Sequence, residues 1–137
     1  MRVIDKAVTE QLYRDAELSV RKRAHLLMHA SHDDKVQRLL IGLVSGSFVE
    51  PHYHELSHQW ELFTVLEGEL DIRLYDEEGA VVRQFVAGPR SGITLVEFNP
   101  GDIHSVECLS ERALMLEVKE GPFDPAFAKA SPAWADN

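Results

Sequence analysis

The sequence predicts an all-β protein, a sandwich or barrel. Three observations carry this. About nine short segments of strand character follow one another at even spacing, each closed by turn residues. Only one segment, at the N-terminus, has helical periodicity, and no second one appears before the tail. One segment, 36–44, is almost continuously apolar, as a strand covered on both faces must be.

Taken in order, residues 5–19 form the helix: Asp5 can cap it, and Val8, Leu12 and Ala16 recur at four-residue spacing on one side. From 20 to 30 the period changes to two. Val20, Ala24, Leu26, Met28 and Ala30 share one face, interrupted by Lys22, while Arg21, Arg23, His25, Leu27 and His29 share the other. A polar turn, His32-Asp33-Asp34-Lys35, leads into the apolar strand. Residues 69–75 alternate with Leu70, Ile72 and Leu74 inward and Glu69, Asp71 and Arg73 outward. Asp76-Glu77-Glu78-Gly79 then reads as a hairpin turn into a strand at 80–87. Further strands are expected at 93–98, 102–109 and 112–120. The tail from Gly121 is rich in Pro and Ala and carries Phe123, Phe127 and Trp134, aromatics expected to pack on the barrel or on a second subunit. The organisation expected is one domain: a helix at 1–19, a barrel at 20–120 and a tail at 121–137.

A chain of 137 residues suffices for one well-buried core. Its net charge of −9 argues against nucleic acid and against an anionic membrane surface as partners. No apolar run approaches the ~20 residues of a membrane span, and no signal peptide is visible behind Met1-Arg2-Val3. The lone Cys108 has no partner within the chain for a disulfide, so a cytoplasmic protein is expected. Cys108 reads as a buried strand residue and not as a nucleophile.

The chemistry concentrates around residues 46–68. His52 and His54 are two apart; on a strand their side chains leave the same face, roughly 7 Å apart. Glu61 follows in a β-rich run that ends at Gly68, and a remote histidine, His104, follows the turn Asn99-Pro100-Gly101-Asp102. Three imidazoles and a carboxylate make a mixed N/O set suited to one divalent transition metal ion: Fe, Mn, Ni, Co or Zn. Glu55 and His58 compete with Glu61 for the carboxylate position, but both sit in a loop. A structural zinc site would be rich in thiolates, so this set suits an open, ligand-accepting ion.

Gly46, His52, His54, Glu61 and Gly68 resemble the first motif of the cupin superfamily: glycine, five residues, His-x-His, three or four residues, Glu, six residues, glycine. The departure is six residues between His54 and Glu61, a loop insertion. Gly101 and His104 resemble the second motif, with Pro100 one place late and Cys108 where Asn is usual. The resemblance implies a double-stranded β-helix, or jelly-roll, barrel. Ile4-Asp5-Lys6-Ala7, Arg21-Lys22-Arg23-Ala24-His25, His29-Ala30-Ser31-His32, Trp60-Glu61-Leu62-Phe63 and the tail segment 116–125 are similar to WbuC-type cupin metalloproteins. That similarity implies a setting in bacterial surface polysaccharide metabolism but no particular reaction.

A second constellation is the basic face of 20–30. Arg21 and Arg23 are candidates to bind a phosphate or carboxylate of a substrate, and His25 or His29 to move a proton. The leading expectation is a metal-dependent isomerase or epimerase acting on a small carbohydrate or sugar phosphate. A non-haem iron dioxygenase and a non-enzymatic metal-dependent sugar-binding or sensor domain are the alternatives. A homodimer is expected, from the aromatic tail and from strands whose edges need cover.

Overall fold

The computed structural model describes residues 1–136. Its elements are α1 (Lys6–Leu18), β1 (Arg23–Leu27), β2 (Val36–Val44), β3 (Phe48–His52), β4 (Glu61–Glu67), β5 (Leu70–Tyr75), β6 (Val81–Ala87), β7 (Leu95–Phe98), β8 (Ile103–Cys108) and β9 (Arg112–Glu120). Two 3-10 turns, Pro125–Phe127 and Ala133–Asp136, lie in the tail. The strands form two antiparallel sheets, ordered β1-β2-β9-β4-β7 and β3-β8-β5-β6. Strands distant in sequence are neighbours in both sheets, as in a jelly roll. No helix of the described residues is long and apolar enough to cross a membrane.

Period two explains the core. Leu39, Ile41 and Leu43 of β2, Phe63 and Val65 of β4, Leu70 and Ile72 of β5, Val106 of β8 and Met115 of β9 interdigitate between the sheets. The alternate residues of β2 and β9, Leu40, Leu114 and Leu116, face the other way and meet Leu12 and Tyr13 of α1. This is why 36–44 reads as apolar on both faces. The helix lies close on β2: a Cβ at Gly42 would meet Leu12 Cγ at 3.0 Å. Asp5 caps α1, its carboxylate accepting from the Val8 amide at 3.1 Å.

Some expected boundaries move. The strand expected over 20–30 is only β1, Arg23–Leu27; Arg21 precedes it in a turn in which Lys22 takes φ 57°. Ala24 and Leu26 pack with Met28 beneath α1, so Arg23, His25 and Leu27 face the barrel interior. The metal strand ends early as well, since β3 stops at His52 and its register with β8 shifts between Val49 and His52. His54 therefore lies beyond the ladder, and the expectation that both histidines share one strand is corrected. Of the tail aromatics, Phe123 packs on His32 with ring centroids 4.9 Å apart, and Trp134 on Tyr75 at 5.3 Å, whereas Phe127 stays exposed.

Candidate metal centre

Three structural devices bring His52, His54, Glu61 and His104 together. His52 at the end of β3 faces His104 on β8 in register. Glu61 opens β4, flanked by Phe98 of β7 and Lys119 of β9. The turn before β8 is tied by the Asp102 carboxylate, which accepts from the Asn99 amide at 2.9 Å, and Gly101 supplies the φ of +88° it needs. The Gly101 amide in turn donates to the His54 carbonyl at 2.8 Å, so one turn positions two of the histidines.

One ligand atom from each of the four residues lies within 4.8 Å of all the others. Glu61 Oε2 is 3.0 Å from His54 Nε2 and 3.4 Å from His104 Nε2. Ligands about 2.0–2.2 Å from one ion stand roughly 3–4.4 Å from each other, so little movement is required to hold one. The hydrogen bonds point the same way. His52 Nδ1 donates to Glu50 O at 2.8 Å, His104 Nδ1 to Asp102 O at 2.9 Å and His54 Nδ1 to Ala128 O at 2.9 Å. Carbonyls only accept, so each Nδ1 carries its proton, and Nε2 is the nitrogen left for the cluster: a lone pair toward a bound ion, or an N–H where a proton stands in for the ion. Lone pairs facing a carboxylate need a cation among them, either a proton or a metal ion. Such outer partners fix the tautomer and ring direction of metal-binding histidines. The donor set and its geometry fit a divalent metal ion.

With protons in place of an ion the carboxylate is favoured as well. Burial alone would push Glu61 up, but hydrogen bonds and charge from His104 and His54 outweigh it and hold its carboxyl well below the usual range. Burial, aided by the neighbouring His104, pushes His52 down to about 4. His104 is nearly sealed from solvent, with Phe98 stacked on its ring at 3.7 Å. The rivals Glu55 and His58 are not in the cluster, although the longer loop between His54 and Glu61 is present.

The cluster opens into a cavity of about 420 Å³ along the inner face of the five-stranded sheet. Its floor is apolar, with Leu39, Ile41, Phe63 and Met115, and its mouth is cationic. Arg21, Arg23, His25 and His29 all line it, together with Lys129 of the tail. Burial, then the adjacent Arg21, lowers Arg23; burial, then Arg21 and Arg23, lowers Lys129. His25, still open to the cavity's solvent, is pushed down to about 4 by its enclosure and by Arg23, Arg21 and Lys119, and stays neutral near pH 7. His29 is buried, and its Nδ1 lies 2.9 Å from the Arg38 amide and 3.0 Å from the Arg38 carbonyl, so either tautomer finds a partner on β2.

Sequence reasoning missed two residues of this wall, Glu117 and Lys119. They continue the inward face of β9 after Ala113 and Met115, and the period of two in 112–120 was the signal that places them. Glu117 is 6% exposed, stands in register with Leu39 and Phe63, and meets Lys119 Nζ at 3.7 Å. His32 is exposed, as a loop histidine should be, and borders the cavity through its contact with Phe123. Cys108 is buried outside the cavity; burial pushes its thiol up, which suits a packing role.

Solved structures share the fold. An oxalate decarboxylase mutant from Bacillus subtilis aligns with TM-score 0.56 and 22% identity over 72% of this chain and 24% of its own. CapF bound to the inhibitor 3-isopropenyl-tropolone aligns with TM-score 0.63 and 19% identity over 78% of this chain and 31% of its own. A cupin superfamily protein from Desulfitobacterium hafniense gives TM-score 0.56 and 19% identity over 77% of this chain and 85% of that one. The chain thus spans about a quarter of the decarboxylase and a third of CapF. These likenesses, with the two-sheet topology, establish a jelly-roll cupin fold. No curated protein matches the sequence. A family model matches residues 4–87, and on it the chain belongs to the family described as a domain of unknown function, DUF6016.

Proposed function

We propose that the protein is a metal-dependent enzyme of isomerase or epimerase type acting on a small anionic carbohydrate, such as a sugar phosphate. The observation that carries this is the polarity of one cavity: a histidine–carboxylate cluster at one side and a cationic mouth at the other, in a chain of net charge −9. An acidic protein repels anions except where it builds a local positive field, so cations gathered at a cavity mouth favour an anionic ligand. Similarity of the N-terminal and tail segments to WbuC-type cupins supports surface polysaccharide metabolism as the setting.

His52, His54, Glu61 and His104 would hold the ion, one of Fe, Mn, Ni, Co or Zn. When bound, it supplies Lewis-acid polarisation of a carbonyl or hydroxyl oxygen. The chain's residues do the rest. Arg21 and Arg23 clamp the phosphate or carboxylate, with bidentate contacts available to each guanidinium. His29 and the neutral His25 both line the cavity, and either imidazole can move a proton to or from the ligand. The apolar floor of Leu39, Ile41 and Phe63 keeps water away from the reacting carbon.

The same floor favours a second reading, an iron dioxygenase, because an apolar ligand would seat there as readily as a sugar face. A third is a metal-dependent sugar-binding or sensor domain without turnover. Incubating metal-loaded protein with a panel of sugar phosphates in D₂O separates them. Deuterium appearing at carbon next to the carbonyl is the expected result. Oxygen uptake with an iron-loaded sample would move the assignment to the dioxygenase, and binding without exchange or oxygen uptake to the sensor. We also propose a homodimer, since Val81 and Val82 leave apolar surface on the edge strand β6. Sedimentation at micromolar concentration should give twice the chain mass.

A further inference from the structure

The three histidines of the cluster are not held alike. His52 and His104 send their Nδ1 protons to carbonyls two residues back, Glu50 and Asp102, so each is oriented by its own strand. His54 has no strand beneath it. Its Nδ1 partner is the carbonyl of Ala128, 74 residues away in the C-terminal tail. The same tail segment takes the place of the missing ladder. Tyr53 and Ala130 form an isolated antiparallel bridge, Tyr53 N to Ala130 O at 3.0 Å and Ala130 N to Tyr53 O at 2.8 Å.

The loop between His54 and Glu61, longer than the cupin motif allows, is tied to the same segment. Gln59 Nε2 donates to the Phe127 carbonyl at 2.7 Å, while the next residue, Trp60, is held by the barrel itself, its Nε1 donating to the Glu120 carboxylate at the end of β9 at 3.1 Å. The tail is itself seated at its start, where the Phe123 amide donates to the His32 carbonyl at 2.7 Å. Consecutive tail carbonyls, Phe127 and Ala128, thus fix the inserted loop and the histidine it follows.

We infer that the tail segment around 127–130 is the positioning element of the metal centre: it sets the tautomer and direction of His54 and holds the extra loop so that Glu61 reaches the ion. The inference rests on the metal reading above and adds which part of the chain completes the site. Two consequences follow from its geometry. The contacts are made by backbone carbonyls, so the side chains at 127 and 128 matter little. Lys129, on the same segment, contributes charge to the cavity mouth but nothing to the hold on His54.

The test is Co²⁺ titration of the full-length protein, followed by visible absorption and by competition with a chelator. Three forms are compared: wild type, the double variant Gln59→Ala/Ala130→Pro, and Lys129→Ala. The double variant removes the donor to Phe127 and the amide of the Tyr53 bridge while leaving every proposed ligand in place. It should weaken Co²⁺ binding roughly 10–100-fold, the usual effect of losing an outer partner, and change the absorption spectrum. Its metal-free form should keep the wild-type circular dichroism. Lys129→Ala should bind Co²⁺ as wild type does. Gln59→Ala alone, which leaves the bridge intact, should show the same spectral change in smaller measure if the double variant folds poorly. Unaltered affinity and spectrum in these Gln59 variants would overturn the inference while the metal reading stood. Failure of wild type to bind Co²⁺ would overturn both.

Discussion

The two ends of the barrel interior are built on the same strands and the same inward positions, yet they differ in chemistry. At one end β8 turns Cys108 inward, β4 Val65, β5 Leu70 and Ile72, and β9 Ala113, while Ile41, Leu43, Val106 and Met115 stand between the ends and form the cavity's apolar floor. Toward the other end the same faces carry His104, Glu61, Glu117 with Lys119, and Gln37. The pleat is unchanged; only the residue types along it switch. One end is a closed core that holds the sheets together, and the other is a cavity lined by groups that cost free energy to bury. Gln37 illustrates how such a group is satisfied: its amide donates to three carbonyls, of Ser31, His32 and Asp34. Glu117 illustrates the contrary, a nearly buried carboxylate with a single loose cationic neighbour.

The division predicts different consequences for substitutions at the two ends. Ile72→Ala, in the closed end, should lower unfolding free energy by about 2–5 kcal/mol and leave metal binding nearly intact, measurable by urea denaturation of the metal-free protein. His54→Ala, at the more exposed ligand beyond the end of β3, should do the reverse. Metal affinity should fall by more than the roughly 10–100-fold carried by outer partners, with metal-free stability little changed. If Ile72→Ala abolished metal binding while leaving stability alone, the two ends would not be separate units.

Replacing the pair together, Glu117→Leu with Lys119→Met, sharpens the comparison. It extends the apolar row of Phe63 and Leu39 into the cavity and leaves no buried cation unpaired. Metal-free stability should rise by about 1 kcal/mol, in line with apolar replacement of a buried ion pair. A fall in stability would mean that Glu117 is a structural residue after all.

The smallest expected effect is on pH dependence. His25 has its pKa lowered to about 4 from an ordinary 6.5. The unfolded chain then binds a proton more readily than the folded one across that window. Stability should therefore fall as pH drops from about 6.5 to about 4, and level off below in so far as His25 is responsible. Since His25 is partly open to solvent, the effect is a modest one, read as a flatter pH–stability curve in His25→Asn. Identical curves for the variant and wild type would remove His25 from the account.

Much of this was legible in the sequence because period two survives in strands with one buried face. Leu70, Ile72 and Leu74 announced themselves, and the spacing of His52, His54, Glu61 and His104 announced the cluster. What stayed hidden was set by partners distant in the chain. The sheet register that makes Glu117 a cavity residue depends on pairing with β2 and β4. The end of β3 at His52 was equally hidden, because its continuation is supplied by Ala130 in the tail.

The central claim is that four side chains from β3, β4, β8 and the segment after β3 share one ion at the open end of the barrel. A crystal structure of the protein loaded with Co²⁺, with anomalous diffraction collected at the cobalt edge, tests it most directly. The account predicts a single strong peak about 2.0–2.2 Å from Nε2 of His52, His54 and His104 and from a carboxylate oxygen of Glu61. A peak held by Glu55 or His58 instead, or no peak among these side chains at saturating Co²⁺, would contradict it.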